Sequence, residues 1–314
     1  MEGQSLTQPL PVGSAPVRSG MRVTRATPTA GAVLALLKPI TWFPPMWAFA
    51  CGAVSSGVDL GERWVPLALG IVLAGPLLCG ASQAVNDWFD RHVDAVNEPD
   101  RVIPSGRMPG RWGLWIAIVT SAICVPVAVA LGPWVAVSAL FGLALAWAYS
   151  APPLRLKRDG HVGPVACALA YEGLPWFAAA AAALGTLPSG PIIAAAGLYA
   201  FGAIGIMTLN DFKAVEGDRL HRLASLPVRY GVRPAVLIAC ALMGTAQLAV
   251  AALLLWLGAA GHAGVVGALL LAQVACMVRL VRDPARFAGW YNAVGTGLYV
   301  AGMMVCALAL GAFA

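Results

Sequence analysis

Two short stretches hold most of the groups able to do chemistry. Asn86-Asp87-Trp88-Phe89-Asp90-Arg91-His92-Val93-Asp94 follows directly on the apolar run Trp64–Val85. On a helix, Asp87, Asp90 and Asp94 fall within an arc of about 60°, and Asn86, Asp90 and Asp94 recur at steps of four. Carboxylates crowded on one face repel each other unless positive charge sits among them. Hard oxygen ligands without Cys or His suit Mg²⁺ better than zinc, which makes Asp87, Asp90 and Asp94 candidate metal ligands. A second stretch, Asn210-Asp211-Phe212-Lys213-Ala214-Val215-Glu216-Gly217-Asp218, follows the apolar run Ile192–Leu209. It superposes on the first at an offset of 124 residues, with Asn86, Asp87 and Asp94 on Asn210, Asp211 and Asp218. Two acid-bearing helix ends in corresponding places point to two half-repeats around one shared site.

A third stretch supplies cations. Tyr149-Ser150-Ala151-Pro152-Pro153-Leu154-Arg155-Leu156-Lys157-Arg158 stops a helix with two prolines and then places three positive charges within four residues. Cations beside carboxylates and a divalent metal make a diphosphate site, the metal bridging acid to phosphate and Lys or Arg taking the remaining oxygens. The segments Asn97–Arg107, with Arg101, and Arg219–Gly231 mix cations with Pro and Gly, the composition of an ordered cap over a pocket. Glu172 lies inside an apolar run, where an ionisable residue is a functional candidate by default. His92 and His161 lie near these motifs but share no spacing with a metal-binding partner.

The elements that must position these groups are membrane helices. Of 314 residues, 60% are hydrophobic and 11% charged, with a mean hydropathy of +0.78, far from the roughly 25% charged content of a soluble domain. The expected fold is all-α and polytopic, with nine spans at roughly 39–58, 64–87, 111–131, 133–150, 162–184, 190–210, 233–258, 263–280 and 289–311. Nineteen of the twenty Lys and Arg fall in alternate loops and Arg63 alone lies between, so the net charge of +6 is a topology signal and not a nucleic-acid surface. This pattern puts the amino terminus and both Asp motifs on the cytoplasmic side and the carboxyl terminus outside. Residues 1–30, rich in Pro, Gly, Ser and Thr, read as a disordered cytoplasmic tail without a secretory signal, and 31–314 as the transmembrane domain. Seven scattered cysteines form no CxxC or Cys/His pattern.

The motifs resemble those of the membrane-embedded prenyltransferases of the UbiA superfamily, and their wording is similar to its chlorophyll and bacteriochlorophyll synthase branch, with the bacteriochlorophyll side favoured. The residues that carry the likeness are Asn86–Asp94 with Asn97–Arg101 and Ile103–Arg107, Tyr149–Pro153, and Asn210–Arg219 with Ser225–Val228. The resemblance implies Asn86, Asp90 and Asp94 as ligands of Mg²⁺ in the first motif. In the second motif many relatives carry two Asp four apart, whereas position 215 is Val here. The ligand after Asp211 is then Glu216 or Asp218, and Asp218 keeps both the face of Asp211 and the match to Asp94.

The expected reaction passes a geranylgeranyl or phytyl group from its diphosphate to the C17 propionate carboxylate of bacteriochlorophyllide a, in the bacterial cytoplasmic or intracytoplasmic photosynthetic membrane. The expected catalytic set is Asp90, Asp94, Asp211, Asp218 and Lys157. The substrate-binding set is Asn86, Arg101, Tyr149, Arg155, Arg158, Lys213 and Glu172. The sequence names no protein partner. Rival readings are prenylation of another acceptor, such as chlorophyllide, an aromatic ring or haem, and, in a different class, transport of cations or organic acids. Transport calls for acids near mid-membrane, whereas nearly all cluster at one face.

Overall fold

In an apolar surrounding, backbone N–H and C=O groups must be satisfied within their own segment, which leaves the helix as the economical solution for so hydrophobic a chain. The computed structural model describes residues 27–213, 215 and 224–313. Its helices are α1 (Ala30–Leu37), α2 (Phe43–Ser55), α3 (Trp64–Asn97), α4 (Trp112–Leu131), α5 (Pro133–Ser150), α6 (Val162–Leu184), α7 (Gly190–Asn210), α8 (Leu226–Tyr230), α9 (Val232–Trp256), α10 (Ala260–Arg282) and α11 (Pro284–Gly311). All but α1, α2 and α8 are long and apolar enough to cross a membrane. The protein is an integral membrane protein.

The first crossing departs from the expected single span at 39–58. Thr29 caps α1 by accepting from Ala32 N at 3.2 Å, and α1 stops at Lys38, which adopts a left-handed φ of 48°. A 3₁₀ turn over Pro39–Thr41 leads into α2, so a pair of helices bent by 56° stands where one straight span was expected. Proline at 39, 44 and 45 makes this economical, because each lacks the N–H that a continuous helix would use. The expected tail falls mostly on residues outside those described, and regular helix begins at Ala30. Elsewhere the differences are of length: α3 continues ten residues past its expected end at 87, α10 extends to Ala260–Arg282, and α11 starts at Pro284.

Two helices widen into π turns, over Leu73–Cys79 in α3 and Leu169–Gly173 in α6. Pro76 sits inside the first and Pro175 just beyond the second. A proline removes one backbone donor and pushes on the carbonyl four residues earlier, and the wider turn accommodates both.

Close approach of backbones holds α2, α6, α7 and α9 together. A Cβ on Gly52 would lie 2.1 Å from the Trp176 carbonyl oxygen, and one on Gly205 would lie 2.5 Å from the Ala239 oxygen. Trp176 donates from Nε1 to Ser55 Oγ at 3.1 Å and stacks on Tyr199 at 5.5 Å. In α9–α11 a buried polar chain runs from Gln247 through Gln273 (2.6 Å) to Tyr291 (3.1 Å). Gly52→Val is expected to lower the melting temperature in detergent by several degrees, since overpacking costs about 1–3 kcal/mol. Gly197→Val, where nothing lies within 4 Å, should not. Fluorescence-detected size-exclusion melts distinguish the two, and equal melts would refute the close-approach account.

Candidate functional site

The carboxyl end of α3 stays helical through the whole first motif, and the helix splits its four oxygen-bearing side chains into two pairs. Asn86 and Asp90 face α5: Asn86 Nδ2 donates to Asp90 Oδ2 at 3.1 Å and to Ser150 Oγ at 3.2 Å. Asp87 and Asp94, a small angle round the same helix, bond instead toward α1 and the loop that follows α3. Lys38 Nζ donates to Asp87 Oδ1 at 2.6 Å, while Arg101 reaches Asp94 at 3.0 Å, Asp87 at 3.4 Å and Glu98 at 2.5 Å. Hydrophobic anchors Val102 and Met108 hold this loop against α1, α3 and α4.

Asp90 is neutralised from the loop after α5. Arg155 Nη2 donates to Asp90 Oδ1 at 3.1 Å, and Lys157 Nζ donates to Oδ2. Arg155 holds a left-handed φ of 43°, so Lys38 and Arg155, the two described non-glycine residues of positive φ, both deliver a cation to a first-motif carboxylate. Burial pushes the Lys157 ammonium below its ordinary pKa, with the Asp90 charge opposing. The same loop then joins the second half of the chain. Ala224 N donates to Arg158 O at 3.1 Å, and Gly160 passes so close that a Cβ would sit 2.2 Å from the Ala224 oxygen. Asp159, held below the usual carboxylate range by the N–H groups of Val162 and His161, starts α6.

The second motif begins where α7 ends. Asn210 Oδ1 accepts from Asn292 Nδ2 of α11 at 2.8 Å, and Asp211 opens a 3₁₀ turn. Two cavities that share Tyr149, Cys167, Met207 and Asn210 lie between the halves. One, about 220 Å³, is lined by Lys157 and Asp211; the other, about 380 Å³, by Asn86, Thr41, Gln83 and Tyr171, with Gln83 Nε2 donating to the Tyr171 hydroxyl at 2.8 Å.

The sequence-derived candidates therefore sort by position. Asn86, Tyr149, Lys157 and Asp211 line the cavities, with Asp90 bonded to two of them or their neighbours. Asp87, expected among the metal ligands, bonds Lys38 and Arg101 on the side of the helix toward α1. Arg101, expected on substrate, is taken up by Asp87, Asp94 and Glu98, and Asp94 shares it. The Arg158 side chain is exposed, and that residue contributes its carbonyl. Glu172 is buried in the π turn of α6 with Oε2 unpartnered, and lines neither cavity. His161 meets the Tyr230 hydroxyl at 3.3 Å, and His92 is exposed. Glu216, Asp218 and the Lys213 side chain lie outside the described residues. Lys38 and Asn292 went unread as site residues: Lys38 resembles an ordinary span-opening cation, and nothing local marks Asn292.

Among the described residues no three His, Cys, Asp or Glu side chains gather into a ready-made metal cage. The donors are nevertheless hard oxygens, from Asn86 and Asp90 on one side and Asn210 and Asp211 on the other. Mg²⁺ is characteristically held by one or two carboxylates plus substrate phosphate and water, and this set fits it.

A model of the UbiA prenyltransferase family matches residues 41–293. The chain is 56% identical over 286 residues to the bacteriochlorophyll synthase 33 kDa chain of Cereibacter sphaeroides, covering 91% of this chain and 95% of that one. It is 38% identical over 289 residues to the chloroplastic chlorophyll synthase of Arabidopsis thaliana, covering 88% and 73%. Its fold is similar to that of a UbiA homolog from Archaeoglobus fulgidus bound to GPP and Mg²⁺, with a TM-score of 0.68 over 88% of this chain and 99% of that one, at 19% identity.

Removing Lys38 leaves Asp87 buried beside Arg101 alone. Lys38→Met is therefore expected to lower stability by roughly 1–3 kcal/mol, and the double variant with Asp87→Asn to recover part of it. Additive losses in detergent melts would show that the pair is not coupled.

Proposed function

Because the chain belongs to the UbiA prenyltransferase family, we propose that it works as a bacteriochlorophyll synthase, transferring a geranylgeranyl or phytyl group from its diphosphate to the C17 propionate carboxylate of bacteriochlorophyllide a. That it is a membrane prenyltransferase follows from the family. The acceptor is supported by the names of its relatives: bacteriochlorophyll synthase at 56% identity against chlorophyll synthase at 38%. The observation that carries the chemical reading is the pairing of Asp90 with Arg155 and Lys157 beside a cavity that Asn210 and Asp211 close from the opposite half.

In this reading Asn86, Asp90, Asn210 and Asp211 would hold Mg²⁺, with Asp94 and Asp218 as the further acids of the two motifs. The metal supplies charge to stabilise the departing diphosphate. Arg155 and Lys157 turn from Asp90 to the phosphate oxygens, and Lys213 is assigned the same task from the second motif. Tyr149, shared by both cavities, borders the reacting end of the prenyl group. The carbon–oxygen bond to diphosphate breaks, and a carboxylate oxygen of the acceptor takes the allylic carbon. A propionate is already ionised near neutral pH, so no strong base is required, in keeping with a site built of cations and oxygen ligands. We assign residues 31–314 to one prenyltransferase domain. The Lys and Arg distribution supports a cytoplasm-facing site, a cytoplasmic amino terminus and an external carboxyl terminus.

Purified protein given Mg²⁺, geranylgeranyl diphosphate and bacteriochlorophyllide a should yield the esterified pigment, and a chelated sample none. The methyl ester of the propionate should be inert, and its prenylation at the rate of the free acid would refute attack by that oxygen. Acceptance of 4-hydroxybenzoate or haem with refusal of the chlorophyllides would overturn the acceptor and leave the diphosphate site standing.

Asp90→Asn should remove nearly all turnover while the protein still inserts and folds, with a lowered melting temperature because Arg155 and Lys157 lose their carboxylate. Lys157→Ala should raise the KM for the diphosphate by about ten- to a hundred-fold, the worth of a hydrogen bond to a charged group, with the acceptor KM little changed. The reverse split would relocate the basic loop to the acceptor.

A further inference from the structure

Asn292 lies on α11, outside both acid motifs, and still reaches the second one. Its place follows from the packing of its neighbours. Tyr291 is fully buried, accepts from Gln273 Nε2 at 3.1 Å and folds over Gly295, where a Cβ would lie 2.3 Å from the ring. Tyr299, about two turns beyond Tyr291 on the same face, donates to Tyr199 O of α7 at 2.8 Å. With 291, 295 and 299 turned inward, 292 and 296 occupy the adjoining strip of the helix, beside the end of α7. Asn292 Nδ2 donates to Asn210 Oδ1 at 2.8 Å, and Thr296 Oγ1, one turn on, donates to Asn292 Oδ1 at 3.5 Å. Three side chains pass hydrogen bonds in one direction, ending on the oxygen of Asn210, a residue that lines both cavities.

The first motif shows why such a partner is needed. Asn86, the counterpart of Asn210 in the half-repeat, is held within its own helix by Asp90, one turn on, at 3.1 Å, and by Ser150 of α5 at 3.2 Å. At the same offset of 124 residues, Asp90 falls on Ala214. Alanine has no side-chain polar atom, so the second half lacks the device by which the first half orients its asparagine. Asn210 is also exposed, and the torsion that swings its amide is a soft one, free to exchange oxygen for nitrogen at the cavity. Asn292 supplies the missing bond from another helix. An amide oxygen has two acceptor positions; Asn292 fills one and leaves the other for a cation.

We infer that Asn292 is a positioning residue for metal binding, holding Asn210 Oδ1 in place for Mg²⁺, with Thr296 steadying it from behind. This rests on the metal site proposed above. Asn292 is assigned no contact with either substrate, so its loss weakens the hold on metal and leaves the chemical step to the residues already named.

The test uses purified full-length protein and two measurements: Mn²⁺ affinity by electron paramagnetic resonance, and the Mg²⁺ concentration that gives half-maximal esterification of bacteriochlorophyllide a. Asn292→Leu, of similar size but with no donor, should weaken Mn²⁺ binding and raise the Mg²⁺ requirement by about ten- to a hundred-fold, the usual effect of losing a residue that orients a metal ligand. Turnover should return as Mg²⁺ is raised. Thr296→Val should move both readouts the same way by less, since its bond is longer. The double variant Asn210→Ala/Asn292→Leu should bind Mn²⁺ no worse than Asn210→Ala alone, because the two residues act as one unit. Losses that multiply in the double variant would overturn the role, as would an Asn292→Leu protein whose melting temperature falls while its metal requirement keeps the wild-type value. Wild type that bound no Mn²⁺ and esterified the pigment without divalent metal would overturn the proposed metal site and this inference together. A metal-dependent wild type with an indifferent Asn292→Leu would overturn this inference alone.

Discussion

A carboxylate at the end of a lipid-spanning helix is useful only if something neutralises it without using it up, and Asp90 meets that condition. Its two oxygens are held by Arg155 and Lys157, both from one loop, and by the amide of Asn86 one turn earlier. A solvated carboxylate would need no such arrangement; a buried one left bare would cost several kcal/mol. Charge-assisted bonds to two cations satisfy the group in the structure described. The remaining geometry supports this pairing: α5 brings the loop, the Ala224 bond anchors it to the second half, and α7 presents Asn210 and Asp211 to the shared cavity.

The two halves solve the positioning problem differently. In the first, alanine and glycine predominate on α6 where it packs against α2, and π turns open α3 and α6 where space is wanted. In the second, hydrogen bonds between Gln247, Gln273 and Tyr291 join α9, α10 and α11, and Tyr299 donates to Tyr199 O at 2.8 Å. Steric fit in one half and buried polar pairing in the other both fix helix distances in lipid, where the hydrophobic effect gives little preference between neighbours.

The spans were legible because hydropathy and loop charge are properties of continuous stretches, and the helical phase of Asn86, Asp90 and Asp94 was legible because a helix has one period. The partner of each face was not. Asp87 and Asp94 lie a small angle from Asp90 on the wheel, yet that angle turns them to Arg101 and to Lys38, whose approach depends on the direction taken by the proline-bearing bend at 38–42. The charge of Arg101 is likewise visible in sequence, whereas the carboxylates it meets, Asp87 and Asp94, are visible only in space. Glu172 was correctly placed inside a span, but its face of the π turn is set by the extra residue in the turn, which alters the register of everything after it.

The left-handed backbone at Lys38 and Arg155 bears on how this protein can be engineered. A left-handed conformation costs a side-chain-bearing residue about 1 kcal/mol that glycine would not incur. A stabilisation campaign guided by backbone geometry would accordingly single out these two positions and write glycine at both. It would relax the chain and delete a cation from Asp87 and from Asp90 in the same stroke, so sequence libraries intended to harden the fold should hold positions 38 and 155 fixed.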